Sequence, residues 1–265
     1  MRPRTQASLA VSGNATDWVL LNASPDLPQQ IRRHKPLHPR SGIRHSPIKS
    51  VVLTGAEIDQ VAGLLSLRER GAFTIFATSA SLDALAANSV FGVLAPELVL
   101  RRAVSPGEPF DLPGGLAAQL FCVPGKVPLY LEGETAQPAS DSEANVGIEI
   151  SVGHACLIYV PGAAAVSPAM IERFARADVV FFDGTLFEDD EMIRNGTGDK
   201  TGRRMGHMPI DGEGGSLALL EGVTARRIFV HINNTNPILI DGSPQRASLQ
   251  RRGWEIAEDG MEIML

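Results

Sequence analysis

Asp59, Asp183, His207 and His231 are the side chains best placed to do chemistry, because each falls at or just past the end of an expected strand. In a layered α/β fold helices cover both faces of a sheet, so side chains converge on a ligand at the strand ends. Carboxylates and imidazoles gathered there can move protons or hold a metal ion. Each also has a structural use. Asp59 can meet backbone amides at the start of a helix, Asp183 can cap the turn Asp183-Gly184-Thr185, and a histidine can simply be hydrogen-bonded in place. Several such groups on strand ends of one expected sheet favour a shared pocket over four separate coincidences.

The elements that must position these groups are legible as patterns. Gln6–Ser12 alternates apolar and polar, and Trp18–Ala23 follows a Gly13-Asn14 turn signal, which predicts a β-hairpin. The segment from Ser24 to His45 carries four prolines between Pro25 and Pro39 and reads as an irregular loop. Val51–Thr54 and Ala72–Thr78 read as strands, Glu57–Arg70 and Ser79–Ala87 as helices, the second with Ser79 as N-cap. Val93–Val123 breaks into short β pieces between prolines and glycines, as in the antiparallel part of a mixed sheet, and Pro124–Asn145 reads as a loop. Val146–Val152 and Ala155–Val160 are joined by Gly153-His154, which suits a tight hairpin turn. Beyond it Ser167–Ala177, Glu188–Asn195, Ser216–Gly222 and Ser243–Arg252 read as helices. Asp178–Asp183, Arg227–His231 and Met261–Leu265 read as strands, and Gly196–Ile210 is a glycine-rich basic loop. Strands alternating with helices after a β-rich first part predict layered α/β architecture.

Composition narrows the class. With 265 residues, 44% of them hydrophobic, the chain can bury a large core as one domain. A formal charge of −6 without a long basic run argues against a nucleic-acid partner. The positive stretch Arg32, Arg33, His34, Lys35, His38, Arg40, Arg44, His45 is either a solvated loop or a rim that draws in an anionic substrate. Cys122 and Cys156 lie in apolar strand-like runs and fit buried reduced thiols, which together with the absence of an apolar leader predicts a soluble cytoplasmic protein. No apolar run approaches the ~18–20 residues of a membrane span. The oligomeric state is left open, a homodimer included.

Longer strings carry a resemblance. Lys49–Leu65 resembles the strand–turn–helix of the metallo-β-lactamase superfamily, Leu-Thr-His-x-His-x-Asp-His-x-x-Gly-Leu. It keeps Leu53, Thr54, Asp59, Gly63 and Leu64, with Gly55, Glu57 and Gln60 where the three histidines would stand. Thr5–Ser12, Val19–Asp26, Gln29–Ile31, Ser46–Ile48, Leu65–Glu69, Asp183-Gly-Thr185, Asp189–Met192, Met205-Gly-His-Met-Pro209 and His231-Ile-Asn-Asn-Thr-Asn-Pro-Ile-Leu239 resemble the pyrroloquinoline quinone (PQQ) biosynthesis protein B family. These strings run nearly the length of the chain.

The resemblance implies a metallo-β-lactamase-like α/β/β/α sandwich of two mixed sheets flanked by helices, as a single domain over residues 1–265. It implies a part in making PQQ from a Glu–Tyr unit, either as an iron- and oxygen-dependent tyrosine hydroxylase or as a carrier assisting transport of PQQ or its precursor. Family members begin with a further strand, a glycine-rich loop and a Cys-x-Cys-x-x-Cys knuckle, and this chain starts after that region. Either the start codon is placed too late or the segment is absent, and losing a first strand would expose a sheet edge. Gly55 offers no ligand, so a dinuclear hydrolase site is not expected. One ion, iron(II) or zinc, is within reach of Asp59, Asp183 and His231 with His207, since two histidines and a carboxylate leave positions open on iron(II). Arg203 and Arg204 are then candidates for holding substrate carboxylates, and Asn233, Asn234 and Asn236 for orienting its polar edge.

Overall fold

The computed structural model describes residues 3–42, 44–128, 130 and 140–265. Strands β1 (Leu9–Val11), β2 (Trp18–Leu21), β3 (Ile48–Val52), β4 (Phe73–Ala77) and β5 (Val99–Ala103) form one sheet in that order. β1 and β2 are the expected antiparallel hairpin, with Leu9 opposite Leu21, and the remaining pairs are parallel. Helices α1 (Leu27–Arg33), α2 (Ile58–Val61) and α3 (Ser79–Ala87) connect them. The second sheet holds β6 (Pro109–Leu112), β7 (Leu116–Gly125), β8 (Ser140–Val152), β9 (Ala155–Val160), β10 (Val179–Asp183), β11 (Arg226–Val230) and β12 (Trp254–Ile256). Its order is β12-β11-β10-β9-β8-β7-β6. Helices α4 (Pro168–Phe174), α5 (Glu191–Arg194), α6 (Ser216–Leu219) and α7 (Pro244–Arg251) belong with its later strands. β6 and β7 are antiparallel, whereas β9 to β12 are parallel throughout, so both sheets are mixed.

Contacts divide the chain into two units, one of Thr5–Phe121 with Ile150–Gly153, the other of Cys122–Glu149 and His154–Leu265 with the extreme N-terminus. The core of the first gathers Leu20, Val51, Leu53, Leu64, Ile75 and Leu85, each at most 1% exposed. In the second, Val179–Asp183 is paired on both sides and buried at every position, which is why its sequence is an unbroken apolar run up to the carboxylate. Val180, Phe182, Ile228 and Phe229 are 0–1% exposed. Burial of each such side chain stabilises the fold by roughly 1.5–3 kcal/mol.

Several elements differ from the expectation. The proline-rich stretch after Ser24 contains α1, because Pro28 sits in the first turn, where a helix needs no N–H from it. The helix expected over Glu57–Arg70 is one α turn followed by 3-10 turns over Ala62–Leu67. Its course is fixed by the end of β2: the Ala23 N–H donates to the Gln60 carbonyl at 2.7 Å, and the Gly63 N–H to the Ala23 carbonyl at 2.8 Å. A β-carbon on Gly63 would lie 2.2 Å from the Ser24 carbonyl oxygen, so only glycine permits this approach. The N-cap of α3 is Thr78, whose hydroxyl accepts from the Ser81 N–H, with Ser79 inside the helix. β5 runs parallel to β4 rather than within an antiparallel piece. Part of the loop expected over Pro124–Asn145 lies outside the described residues; of the rest, Pro124, Gly125 and the stretch from Ser140 are strand, whereas residues 126–128 are not.

The last strand is β12, not Met261–Leu265. Trp254 stacks on Phe229 with ring centroids 3.9 Å apart and planes at 9°, whereas Met264 and Leu265 are exposed. The hairpin at Gly153 is as expected, with φ +59°. Cys122 and Cys156 are thiols in β7 and β9, but only half-buried. Among the described residues no helix is long and apolar enough to cross a membrane.

Candidate metal centre

Three of the four expected groups meet in the second unit. Asp183, at the end of β10, is fully buried. His231 follows β11, the parallel neighbour of β10. Parallel pairing brings the two strands' carboxyl ends to the same edge, which explains that half of the meeting. His207 comes from a loop, and local backbone bonds hold it. Its N–H donates to the Gly202 carbonyl at 2.9 Å, and the Met208 N–H to the Ala163 carbonyl at 2.6 Å. Gly206 turns the chain at φ +90°, a conformation that favours glycine. Gly162 leaves room for the imidazole, since a β-carbon there would stand 3.3 Å from His207 Cε1.

The backbone just past β11 is strained to aim the second imidazole. His231 has φ +54°, in the left-handed region that a non-glycine residue adopts at a cost of about 1–3 kcal/mol. Gly184 is also required, because a β-carbon there would lie 2.8 Å from the Phe229 β-carbon. Its N–H donates to the Val230 carbonyl at 2.8 Å, carrying the ladder past Asp183 to Thr185.

One ligand atom from each of Asp183, His207 and His231 lies within 4.8 Å of the other two. His207 Nδ1 is 2.7 Å from Asp183 Oδ2, and the rings of His207 and His231 stack with centroids 5.0 Å apart at 19°. Asp183 Oδ2 also accepts from the Ala163 N–H at 2.9 Å, and Oδ1 accepts from the Thr185 N–H at 3.0 Å. Burial alone would raise the Asp183 carboxyl. The neighbouring imidazoles of His207 and His231, and hydrogen bonds from His207 and Thr185, outweigh it and hold the group below the usual carboxylate range. Two imidazoles this close, backed by an ionised carboxylate, suit a borderline divalent transition metal.

Asp59 stands on α2 in the other unit, and the turn leading to it is fixed structurally. Asn22 Nδ2 donates to Thr54 Oγ1, and the Thr54 N–H donates to Asn22 Oδ1, both at 2.9 Å. Gln60, in a position where the superfamily pattern has histidine, is buried and accepts from the Glu57 N–H at 3.2 Å through its amide oxygen.

The expected substrate-binding residues divide by exposure. Asn236 is buried, donates to the Gly184 carbonyl at 2.9 Å and caps the turn Pro237–Leu239 through the Ile238 N–H. Asn233 donates to Thr235 Oγ1 at 3.0 Å, and Arg203 Nη2 donates to the Glu213 and Gly214 carbonyls at 3.2 Å. Arg203, Arg204 and Asn234 are exposed. Sequence reasoning missed Thr185, whose hydroxyl lies 2.6 Å from Asp183 Oδ1, 2.7 Å from His231 Nδ1 and 3.1 Å from His207 Nδ1. The available signal was its place in Asp183-Gly-Thr185, two residues past a strand-end carboxylate. It also missed buried Glu191, which accepts from the Phe187 N–H at 2.7 Å and the Thr235 hydroxyl at 2.6 Å, tying α5 to the segment after His231.

Residues 17–232 match the model of the beta-lactamase superfamily domain. Two mixed sheets with flanking helices and a donor cluster at strand ends are the metallo-β-lactamase fold. Coenzyme PQQ synthesis protein B of Methylorubrum extorquens (strain PA1) is 50% identical over all of this chain and 89% of that protein. The same protein of Rhizobium meliloti (strain 1021) is 54% identical over all of this chain and 87% of its own length. The crystal structure of Zn2+-bound PqqB from Methylobacterium extorquens superposes with a TM-score of 0.98 at 50% identity, over all of this chain and 89% of that one. This chain belongs to the coenzyme PQQ synthesis protein B family.

Proposed function

We propose that this chain serves PQQ biosynthesis by holding one transition-metal ion at His207 and His231, beside the Asp183 carboxylate, and acting on a Glu–Tyr precursor as an oxygen-dependent tyrosine hydroxylase. The observation that carries the metal reading is the meeting of the three groups within 4.8 Å. The Zn2+-bound relative supports it. Iron(II) held there would supply the redox chemistry with dioxygen that hydroxylation of an aromatic ring requires.

The chain's own residues do the rest. Asp183 fixes the ring of His207 through the 2.7 Å contact. The Arg203 backbone N–H donates to Asp189 Oδ1 at 2.9 Å, which anchors the turn presenting exposed Arg204. Arg204 is available to attract a carboxylate of the precursor, and Asn234 to hydrogen-bond its polar edge.

The carrier reading is favoured by one observation: Gln60, in a metal-ligand position of the superfamily pattern, is used as a helix-capping residue. Metal content and turnover separate the two. Protein isolated without oxygen and reloaded with iron(II) is expected to retain it stoichiometrically, to lose it in His231→Ala, and to hydroxylate a Glu–Tyr peptide. Binding of PQQ by protein that retains no metal and turns nothing over would establish the carrier instead.

A further inference from the structure

We propose that Thr185 is a positioning residue which, with Asp183, locks both imidazoles in one tautomer, protonated at Nδ1, so that the Nε2 atoms of His207 and His231 are what the cluster offers to an ion. The last clause rests on the metal reading above; the tautomers do not.

The proton positions follow from the distances. A carboxylate only accepts, and His207 Nδ1 lies 2.7 Å from Asp183 Oδ2. An unprotonated nitrogen there would face a buried anion lone pair to lone pair, so His207 carries its proton on Nδ1. Thr185 Oγ1 lies 2.6 Å from Asp183 Oδ1, the shortest of its contacts, and by the same argument its single proton is donated to Asp183. The hydroxyl oxygen is left with lone pairs only. His231 Nδ1, at 2.7 Å from it, must then be the donor. The alternative gives the hydroxyl proton to the His231 carbonyl at 2.9 Å and leaves the 2.6 Å contact repulsive.

Asp183 has every acceptor site filled. The Thr185 N–H and hydroxyl reach Oδ1, and the Ala163 N–H and His207 Nδ1–H reach Oδ2. Two donors on each oxygen use all of its roughly four lone-pair sites. Asp183 therefore acts through His207, and through Thr185 on His231, as the orienting carboxylate behind a metal-binding histidine does. One threonine hydroxyl thus couples two rings that approach from different segments of chain.

The test uses metal-free full-length protein labelled with 15N-histidine, at a pH where the imidazoles are neutral, with tautomers read from two-bond 1H–15N correlations. Both His207 and His231 are expected to show the Nδ1–H pattern. Thr185→Ser, which keeps the hydroxyl, is expected to preserve it. Thr185→Val, which keeps the shape, is expected to release His231 into mixed tautomers and weaken Zn2+ binding about 10–100-fold in competition with a chromophoric chelator. An Nε2–H pattern for His231 in the parent protein, or loss of the Nδ1–H pattern in Thr185→Ser, overturns the proposal whether or not Thr185→Val folds. So does an unchanged tautomer in folded Thr185→Val. If the parent protein binds no Zn2+ yet shows both Nδ1–H patterns, the metal reading fails and the positioning role stands.

Discussion

His207 and His231 lie with their imidazole rings nearly parallel, centroids 5.0 Å apart, although one comes from a loop and the other from a strand end. Neither ring is anchored alone, since Thr185 Oγ1 stands within 3.1 Å of Nδ1 on both. Removing either histidine is therefore expected to remove a donor and leave the other ring less well held. His207→Ala and His231→Ala should each lower Zn2+ affinity by more than the ~10–100-fold typical of an orienting partner. Competition titration against a chelator checks this, and a tenfold effect or less in both variants would place the ion elsewhere.

The left-handed backbone at His231 gives a separate expectation about stability. Alanine keeps the β-carbon that conflicts with φ +54°, and glycine does not. His231→Gly should therefore be more stable than His231→Ala by about 1 kcal/mol, measured by urea unfolding of the metal-free proteins. The reverse order would mean that the strain is not there.

Gly184→Ala tests how the strand end is built. The new β-carbon would sit 2.8 Å from the Phe229 β-carbon, closer than two such carbons approach, so something must shift. Overpacking of this kind costs about 1–3 kcal/mol, and the displacement is expected to pass to Asp183 and Thr185 on either side. A drop in both unfolding free energy and Zn2+ affinity is the expected result; unchanged affinity would show that the cluster does not depend on this close approach.

The Cys156 thiol is pushed up to about 11, first by burial and then by the charges of Glu149 and Asp178, against the weaker opposing pull of Arg173 and Arg176. Because the thiolate is the reactive form, only about 0.1% of it is available at pH 8. Alkylation of Cys156 by iodoacetamide, followed by mass spectrometry, should be slow there and rise about tenfold per pH unit until near pH 11. Labelling at pH 8 at the rate of an ordinary cysteine would contradict the environment described.

At the far edge of the second sheet, Trp254→Ala should cost about 3–5 kcal/mol, because it empties a buried site stacked on Phe229. Deleting Met261–Leu265 should cost far less, since Met264 and Leu265 face solvent. Equal losses in the two proteins would restore the C-terminal segment as a structural strand.

The sequence by itself determined which strands would be buried and which polar groups would stand at their ends. Asp178–Asp183 and Arg227–His231 are apolar runs stopped by one ionisable group each, and a parallel sheet needs that pattern because both its faces are covered. The long shared strings carried the family, and with it the fold. Tertiary structure alone decided the rest. α1 forms within a proline-rich stretch because Pro28 falls in its first turn, and α2 stops early because the end of β2 captures Gln60 and Gly63. His207 reaches the cluster from a loop, where no periodicity marks a side chain's direction, through backbone bonds to Gly202 and Ala163. The central position of Thr185 depends, beyond its neighbour Asp183, on two imidazoles far from it in sequence, one of them turned toward it by an unusual backbone angle. A threonine after Asp-Gly reads as an ordinary turn residue; only the convergence of β10, β11 and the 203–208 segment makes its hydroxyl the link between two imidazoles.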